Sequence, residues 1–234
     1  QVDYIANTVG FEGNVTRVKV YPVSIDTEEL KSIANTARAQ ISEESLKGLL
    51  AEKNVVRIDR IEPSKNIVRG FRAYSLMLTR HPELLGRVKF LAFLVPSRTH
   101  IRQYQRYIQE VEQSISYVNN KFGSDKWKPI EVFYENNYTQ AIAAMKLYDV
   151  LLVNSIVDGM NLVAKEGPIV NQKDGVLIIS ETTGAHEQLR SSAFSTVATT
   201  FSASILAWDG VYGSFVKPIR SAFQPSGVIT TFVA

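Results

Sequence analysis

The chain has 234 residues, 45% of them hydrophobic and 21% charged, which is ordinary globular material for one large domain or two small ones. Its 26 basic and 23 acidic residues are interspersed and leave a net charge of +3, so no basic stripe for nucleic acid is visible. The absence of cysteine excludes disulfides and thiolate metal sites, His81, His100 and His186 lie too far apart in sequence to suggest a ligand cluster, and the longest apolar run, 90–96, is far short of a membrane span.

No charged-then-apolar signal opens the chain, which begins Gln1-Val2-Asp3 without Met, as an excised piece of a longer protein would. Residues 1–14 are polar, with Gly10 and Gly13, and read as a linker or a ragged start. The alternation Val15-Thr-Arg-Val-Lys-Val-Tyr-Pro-Val23 predicts a strand. Asp26 and Thr27 can cap a helix that runs to about residue 52 with a break near Ser42. A strand over 54–58 stops at the turn Asp59-Arg-Ile-Glu-Pro-Ser-Lys-Asn66, and apolar residues at helical spacing follow over 67–80.

The run 88–95 predicts a buried strand closed by Pro96-Ser-Arg-Thr99, with Thr99 capping a long helix over 101–121 whose stripe of Tyr104, Tyr107 and Ile108 reads as core. Trp127 and Trp208 read as packing residues. A short strand over 129–134 and a helix over 139–147 lead to the apolar strand 148–153. After it comes Asp158-Gly-Met-Asn-Leu-Val-Ala-Lys-Glu166, read as a helix that starts near Gly159, then a strand over 175–179 and a turn into a helix over 180–189. Residues 190–234 break the pattern: they hold four charged residues and show neither a helical period nor clean strand punctuation.

Strands alternating with helices over 15–189 predict an α/β fold with a Rossmann-like parallel sheet and helices on both faces. The turns at 59–66, 96–99, 154–161 and 180–187 would then share one edge, where ligands bind, with Arg60, Lys65, Arg98, Asp158 and Glu166 near one crevice. Arg60 and Lys65 have the spacing of a diphosphate clamp, or of a solvated basic turn. Arg98 is a second anion site or a surface charge; Asp158 and Glu166 accept sugar hydroxyls, or are a helix cap and a surface carboxylate. His186 beside Glu187 is more simply structural than catalytic.

Four strings carry a resemblance. Ile58-Asp-Arg-Ile-Glu-Pro-Ser-Lys-Asn66, Val95-Pro-Ser-Arg98, Asp158-Gly-Met-Asn-Leu-Val-Ala-Lys-Glu166 and Ser180-Glu-Thr-Thr-Gly-Ala-His-Glu-Gln-Leu189 fall in the order and spacing of the trehalose-6-phosphate synthases. These are retaining glycosyltransferases of two facing Rossmann-like domains (the GT-B arrangement), and the chain resembles their carboxy-terminal, donor-binding domain. The resemblance implies that Arg60, Lys65 and Asp158 are catalytic, the first two on the donor diphosphate and Asp158 on the glucose hydroxyls. It also implies substrate contacts from Arg98 to the acceptor phosphate, from the backbone of Gly159, Met160, Asn161, Leu162 and Val163, and from Glu166 to the ribose.

The implied reaction moves glucose from UDP-glucose or a similar donor to glucose 6-phosphate, with no metal and no cofactor, in the cytoplasm, and without nucleic-acid or membrane partners. Homo-oligomerisation stays open. The amino-terminal domain of the family is absent, so the chain alone is expected to be inactive. The family's Asn-Pro turn and returning helices after Leu189 do not resemble 190–234, a divergent tail. A glucosylglycerol-phosphate synthase, a pseudo-glycosyltransferase that forms a C–N bond, and a non-catalytic nucleotide-sugar-binding module are the alternatives.

Overall fold

The computed structural model describes residues 1–196; the rest of the 190–234 tail and Trp208 lie outside the described residues. Alternation at the amino end does not enter the main sheet. Strands β1 (Val2–Asp3), β2 (Thr8–Phe11) and β3 (Asn14–Arg17) form a separate antiparallel sheet. The strand expected over 15–23 therefore stops at Arg17, and 18–26 carry no regular structure. The physical reason is that β3 is exposed at every position, so its alternation does not report a buried face.

Helix α1 (Thr27–Ala34) starts where Asp26 accepts hydrogen bonds from the backbone N–H groups of Glu28 and Glu29, both at 3.0 Å. The helical region breaks at Asn35-Thr36 rather than near Ser42, because Thr36 caps a second helix, α2 (Ala37–Lys47). Beyond it the expected alternation holds: β4 (Lys53–Ile61), α3 (Ile67–Arg80), β5 (Val88–Pro96), α4 (Arg102–Phe122), β6 (Ile130–Phe133), α5 (Tyr138–Leu147), β7 (Val150–Val153), α6 (Leu162–Val170), β8 (Val176–Ser180) and α7 (His186–Leu189). Strand β9 (Phe194–Thr196) pairs with β8 beyond the expected limit at 189.

All six strands run parallel in the order β6-β5-β4-β7-β8-β9. Because side chains alternate along a strand, the two faces build two cores. Val55, Phe90, Leu94 and Leu152 meet Phe71 and Tyr74 of α3 and Val111 and Val118 of α4. Val56, Leu91, Leu151 and Ile179 meet Leu46 of α2, Ala143 and Leu147 of α5 and Ala164 of α6. Helix α1 packs outside these layers, with Leu30 and Ala34 against Ile142, Met145 and Val170. The fold is thus α/β with helices on both faces of a parallel sheet, as expected.

Strand β4 comes first in sequence but sits inside the sheet; β5 and β6 lie on one side of it, β7, β8 and β9 on the other. The gap between the carboxyl ends of β4 and β7 is therefore the topological switch point, where connections diverge and leave a crevice. Among the described residues no helix is long and apolar enough to cross a membrane.

Candidate functional site

Arg57 in the middle of β4 is fully buried, which is tolerable only if its guanidinium is partnered. It donates to the Asn154 side-chain oxygen at 2.7 Å and to the Lys65 carbonyl oxygen, and its Nε lies 2.9 Å from the Asp59 carboxylate. One guanidinium thus ties the loop after β4 to the loop after β7 from beneath. Asn66 strengthens the tie through its amide to the Asn154 carbonyl, 3.0 Å, while Ile156 N–H donates to the Ser64 carbonyl at 2.7 Å. Helix α3 comes close to this cation because position 70 is Gly: a Cβ there would stand 2.7 Å from Arg57 Nη1. Gly70→Ala is expected to lose about 1–3 kcal/mol of stability through displacement of Arg57, measurable by denaturant unfolding.

Above this floor Lys65 and Asp158 form an ion pair across the switch point, and the Lys65 ammonium also lies 3.7 Å from Asp59. Asp158 collects Asn161 Nδ2 at 3.0 Å and Ser155 Oγ at 3.4 Å as well. Burial would raise the Asp158 carboxyl, but Lys65, the Asn161 amide and the Met160 N–H outweigh it and hold the group below the ordinary carboxylate range. Asp59 behaves oppositely: burial prevails over Arg57 and Lys65, and its carboxyl is raised.

The helix after this turn begins at Leu162, not at Gly159. Asn161 adopts a left-handed conformation with φ 61° and caps the helix by accepting from Ala164 N–H at 3.1 Å, so Gly159 and Met160 belong to an irregular loop. That loop is stitched to the one after β8. Asp158 N–H donates to the Thr182 carbonyl at 3.3 Å, Gly184 N–H to the Asp158 carbonyl at 3.0 Å, and Ala185 N–H to the Met160 carbonyl at 3.0 Å. A Cβ built on Gly159 meets no protein atom within 4 Å, so neither packing nor backbone angle demands glycine there.

Arg60 is exposed and pairs with Glu62 at 3.1 Å, and Glu62 accepts from Ser97 Oγ at 3.1 Å, so the 60–62 and 96–99 turns adjoin. Arg98 does not join the Lys65–Asp158 cluster. With φ 48° it turns away, lies over the Tyr104 ring at 5.5 Å and donates to its hydroxyl at 3.0 Å. Tyr104 therefore serves Arg98 rather than the core, whereas Tyr107 accepts from Ile67 N–H at 2.8 Å and caps α3. Thr99 caps nothing, since Ile101 occupies the capping position of α4. Leu162 is partly exposed, Val163 packs against the α5–α6 core, and Glu166 is buried with its carboxylate accepting from the Tyr138 hydroxyl at 3.0 Å. Burial raises the Glu166 carboxyl, partly offset by that hydroxyl. Among the described residues no group of three or more His, Cys, Asp or Glu side chains could hold a metal ion.

The model of glycosyltransferase family 20 matches residues 1–197. The chain belongs to this family. Similar family members include the UDP-forming α,α-trehalose-phosphate synthase 56 kDa subunit of Kluyveromyces lactis, 34% identical over 194 residues that make up 80% of this chain and 39% of that protein. The bifunctional trehalose-6-phosphate synthase/phosphatase of Thermoproteus tenax is 34% identical over 179 residues, 74% of this chain and 24% of that one. Among solved structures, the synthase of Burkholderia xenovorans in complex with glucose-6-phosphate superposes with a TM-score of 0.79 at 26% identity, covering 86% of this chain and 45% of that one. The trehalose-6-phosphate enzyme of E. coli bound with UDP-2-fluoro glucose gives 0.74 at 25%, covering 88% and 48%. The chain thus spans about two fifths of the K. lactis family 20 protein and less than half of these two solved chains.

Sequence reasoning did not single out Arg57, Asp59, Asn154, Glu62, Tyr138 and Gly184 as members of the site. Two of them left a signal. Arg57 and Asp59 are opposite charges two apart among Val55, Val56, Ile58 and Ile61, so both point to one face, where they can pair.

Proposed function

We propose that this chain is the donor-binding half of a retaining glycosyltransferase that moves glucose from UDP-glucose to glucose 6-phosphate and forms trehalose 6-phosphate. The observation that carries the reading is the Lys65–Asp158 pair spanning the switch point, with Arg60 near the end of β4, the strand that leads to Lys65. A nucleotide diphosphate entering there would exchange the Asp158 contact of Lys65 for phosphate oxygens and draw Arg60 from Glu62. Freed of Lys65, Asp158 keeps its Asn161 and Met160 donors and accepts glucose hydroxyls.

Glu166, one helical turn past Leu162, takes the ribose hydroxyls, and the backbone of Gly159 to Val163 lies along sugar and phosphates. Arg98 swings from Tyr104 to the acceptor phosphate. The relatives support the substrates of this reading by what they bind: glucose-6-phosphate in one structure and UDP-2-fluoro glucose in another. As the glycosidic bond breaks, negative charge grows on the leaving diphosphate. Arg60 and Lys65 then bind more strongly than in the ground state, which lowers the barrier without a metal ion or cofactor. Attack from the face the diphosphate vacates, with that phosphate accepting the acceptor proton, keeps the anomeric configuration. The acceptor contacts that complete turnover belong to a second Rossmann-like domain.

Calorimetric titration of the chain with UDP-glucose and GDP-glucose tests this. Saturable binding with UDP-glucose preferred is expected, and a folded chain that binds neither sinks the proposal. Gly159→Val adds a side chain to open space and is expected to leave the melting temperature unchanged while weakening binding about 30-fold, since the new methyls occupy the ligand's path. Unchanged affinity in that variant would place the sugar elsewhere.

A further inference from the structure

The carboxylate assigned to the ribose does not stand alone. Helix α5 begins at Tyr138 because Asn137 accepts from Gln140 N–H at 3.1 Å, which sets Tyr138 at the first helical position. From there its hydroxyl reaches across to α6 and donates to Glu166 Oε1 at 3.0 Å. Tyr138 is 47% exposed, so it borders solvent rather than filling either core. Burial and the nearby Glu166 push its hydroxyl up to about 12, so it remains a donor at neutral pH; Glu29 on α1 is the other charge that faces it.

We propose that Tyr138 is a positioning residue for nucleotide recognition, holding the Glu166 carboxylate by one oxygen so that the other is presented to the ribose hydroxyls. This rests on the reading of Glu166 as the ribose acceptor. A carboxylate offers about four acceptor positions on its two oxygens. The tyrosine occupies one on Oε1, and among the described residues no side chain donates to Oε2. A glutamate has three rotatable bonds, and fixing them before the ligand arrives removes an ordering cost that binding would otherwise carry. The free oxygen of the fixed carboxylate is then the group that meets the vicinal ribose hydroxyls. A ligand lacking those hydroxyls gains nothing from the arrangement.

The test is calorimetric binding of UDP and of 2′,3′-dideoxy-UDP to the 234-residue chain, to Tyr138→Phe and to Glu166→Ala. The wild-type chain is expected to prefer UDP by about tenfold or more, a preference that Glu166→Ala removes. Tyr138→Phe should weaken UDP about fivefold, leave dideoxy-UDP as it was and keep the melting temperature. Equal weakening of both ligands would make Tyr138 a packing residue, and no change in either would make its hydrogen bond incidental; each overturns the proposal. A UDP preference that survives Glu166→Ala removes the ribose role of Glu166 and the tyrosine's with it. Binding of neither nucleotide by the folded wild-type chain removes the donor-site reading itself.

Discussion

Lys65→Met should weaken UDP-glucose binding about 100-fold or more and lower stability by about 2–3 kcal/mol at neutral pH. Both effects have one origin. The ammonium lies beside Asp158 and 3.7 Å from Asp59, so its removal leaves two largely buried carboxylates facing each other with a single cation, Arg57, beneath them. Methionine keeps the apolar stem and removes the charge, which separates electrostatics from packing.

The pH dependence follows from the direction of the shifts. Lys65 helps to hold Asp158 below the ordinary carboxylate range, so this contribution is complete above the unfolded carboxyl pKa, about 4, and fades as pH falls through the folded value. The variant releases Asp158 upward and raises Asp59 further, so its folded state takes up protons more readily. The two stability curves, measured by urea unfolding from pH 7 down to 3, should therefore converge in acid. A gap that stays constant with pH would show that the lysine acts through packing alone.

Gly184→Ala is expected to cost about 3 kcal/mol and to abolish donor binding in the same step. Its Cβ would stand 1.9 Å from the Gly159 carbonyl oxygen and 2.8 Å from the Gly159 carbonyl carbon, so the obstruction is main chain and no side chain can rotate aside. The residue's φ is not in the left-handed region, which makes close approach the requirement. Relief of the clash must part the two loops and break the hydrogen bonds from Gly184 N–H to Asp158 and from Ala185 N–H to Met160. Asp158 would then leave its place opposite Lys65. Gly159→Val, by contrast, should affect binding alone. The pair of glycines thus separates what the fold requires from what the ligand requires, by thermal melting and titration of the same two variants.

Apolar runs made β5, β7 and β8 legible from composition, because a strand buried on both faces must be continuously hydrophobic. The charged turns at the carboxyl ends of the sheet strands followed from topology, and Lys65 after β4 and Asp158 after β7 do meet there. What failed was the length of the strand read from alternation at 15–23. Val15 to Val23 alternates in sequence yet only the first three of those residues are strand, exposed throughout. Arg57 and Asp59 alternate in the same way and are buried. A periodicity of two says which residues share a face, but only contacts distant in sequence say whether that face is covered. Similarly, Thr99 resembled a cap and is not one, because the left-handed backbone of Arg98 and the hydrogen bond of Ile101 N–H back to its carbonyl shift the helix start. Residue type alone did not reveal that a non-glycine residue would adopt a left-handed backbone there.

The stitching of the two loops has a consequence for how this site could change over generations or in the hands of an engineer. Asp158 to Met160 and Thr182 to Ala185 are registered by main-chain groups, which every amino acid except proline supplies in full. Val157 and Glu181, exposed beside them, therefore carry little of the frame, whereas Thr182 also donates its Oγ1 to the Ser155 carbonyl at 3.1 Å. Random substitution confined to Val157 and Glu181 should yield a library that is mostly folded and differs in sugar selectivity, a scaffold on which specificity can drift while geometry is inherited.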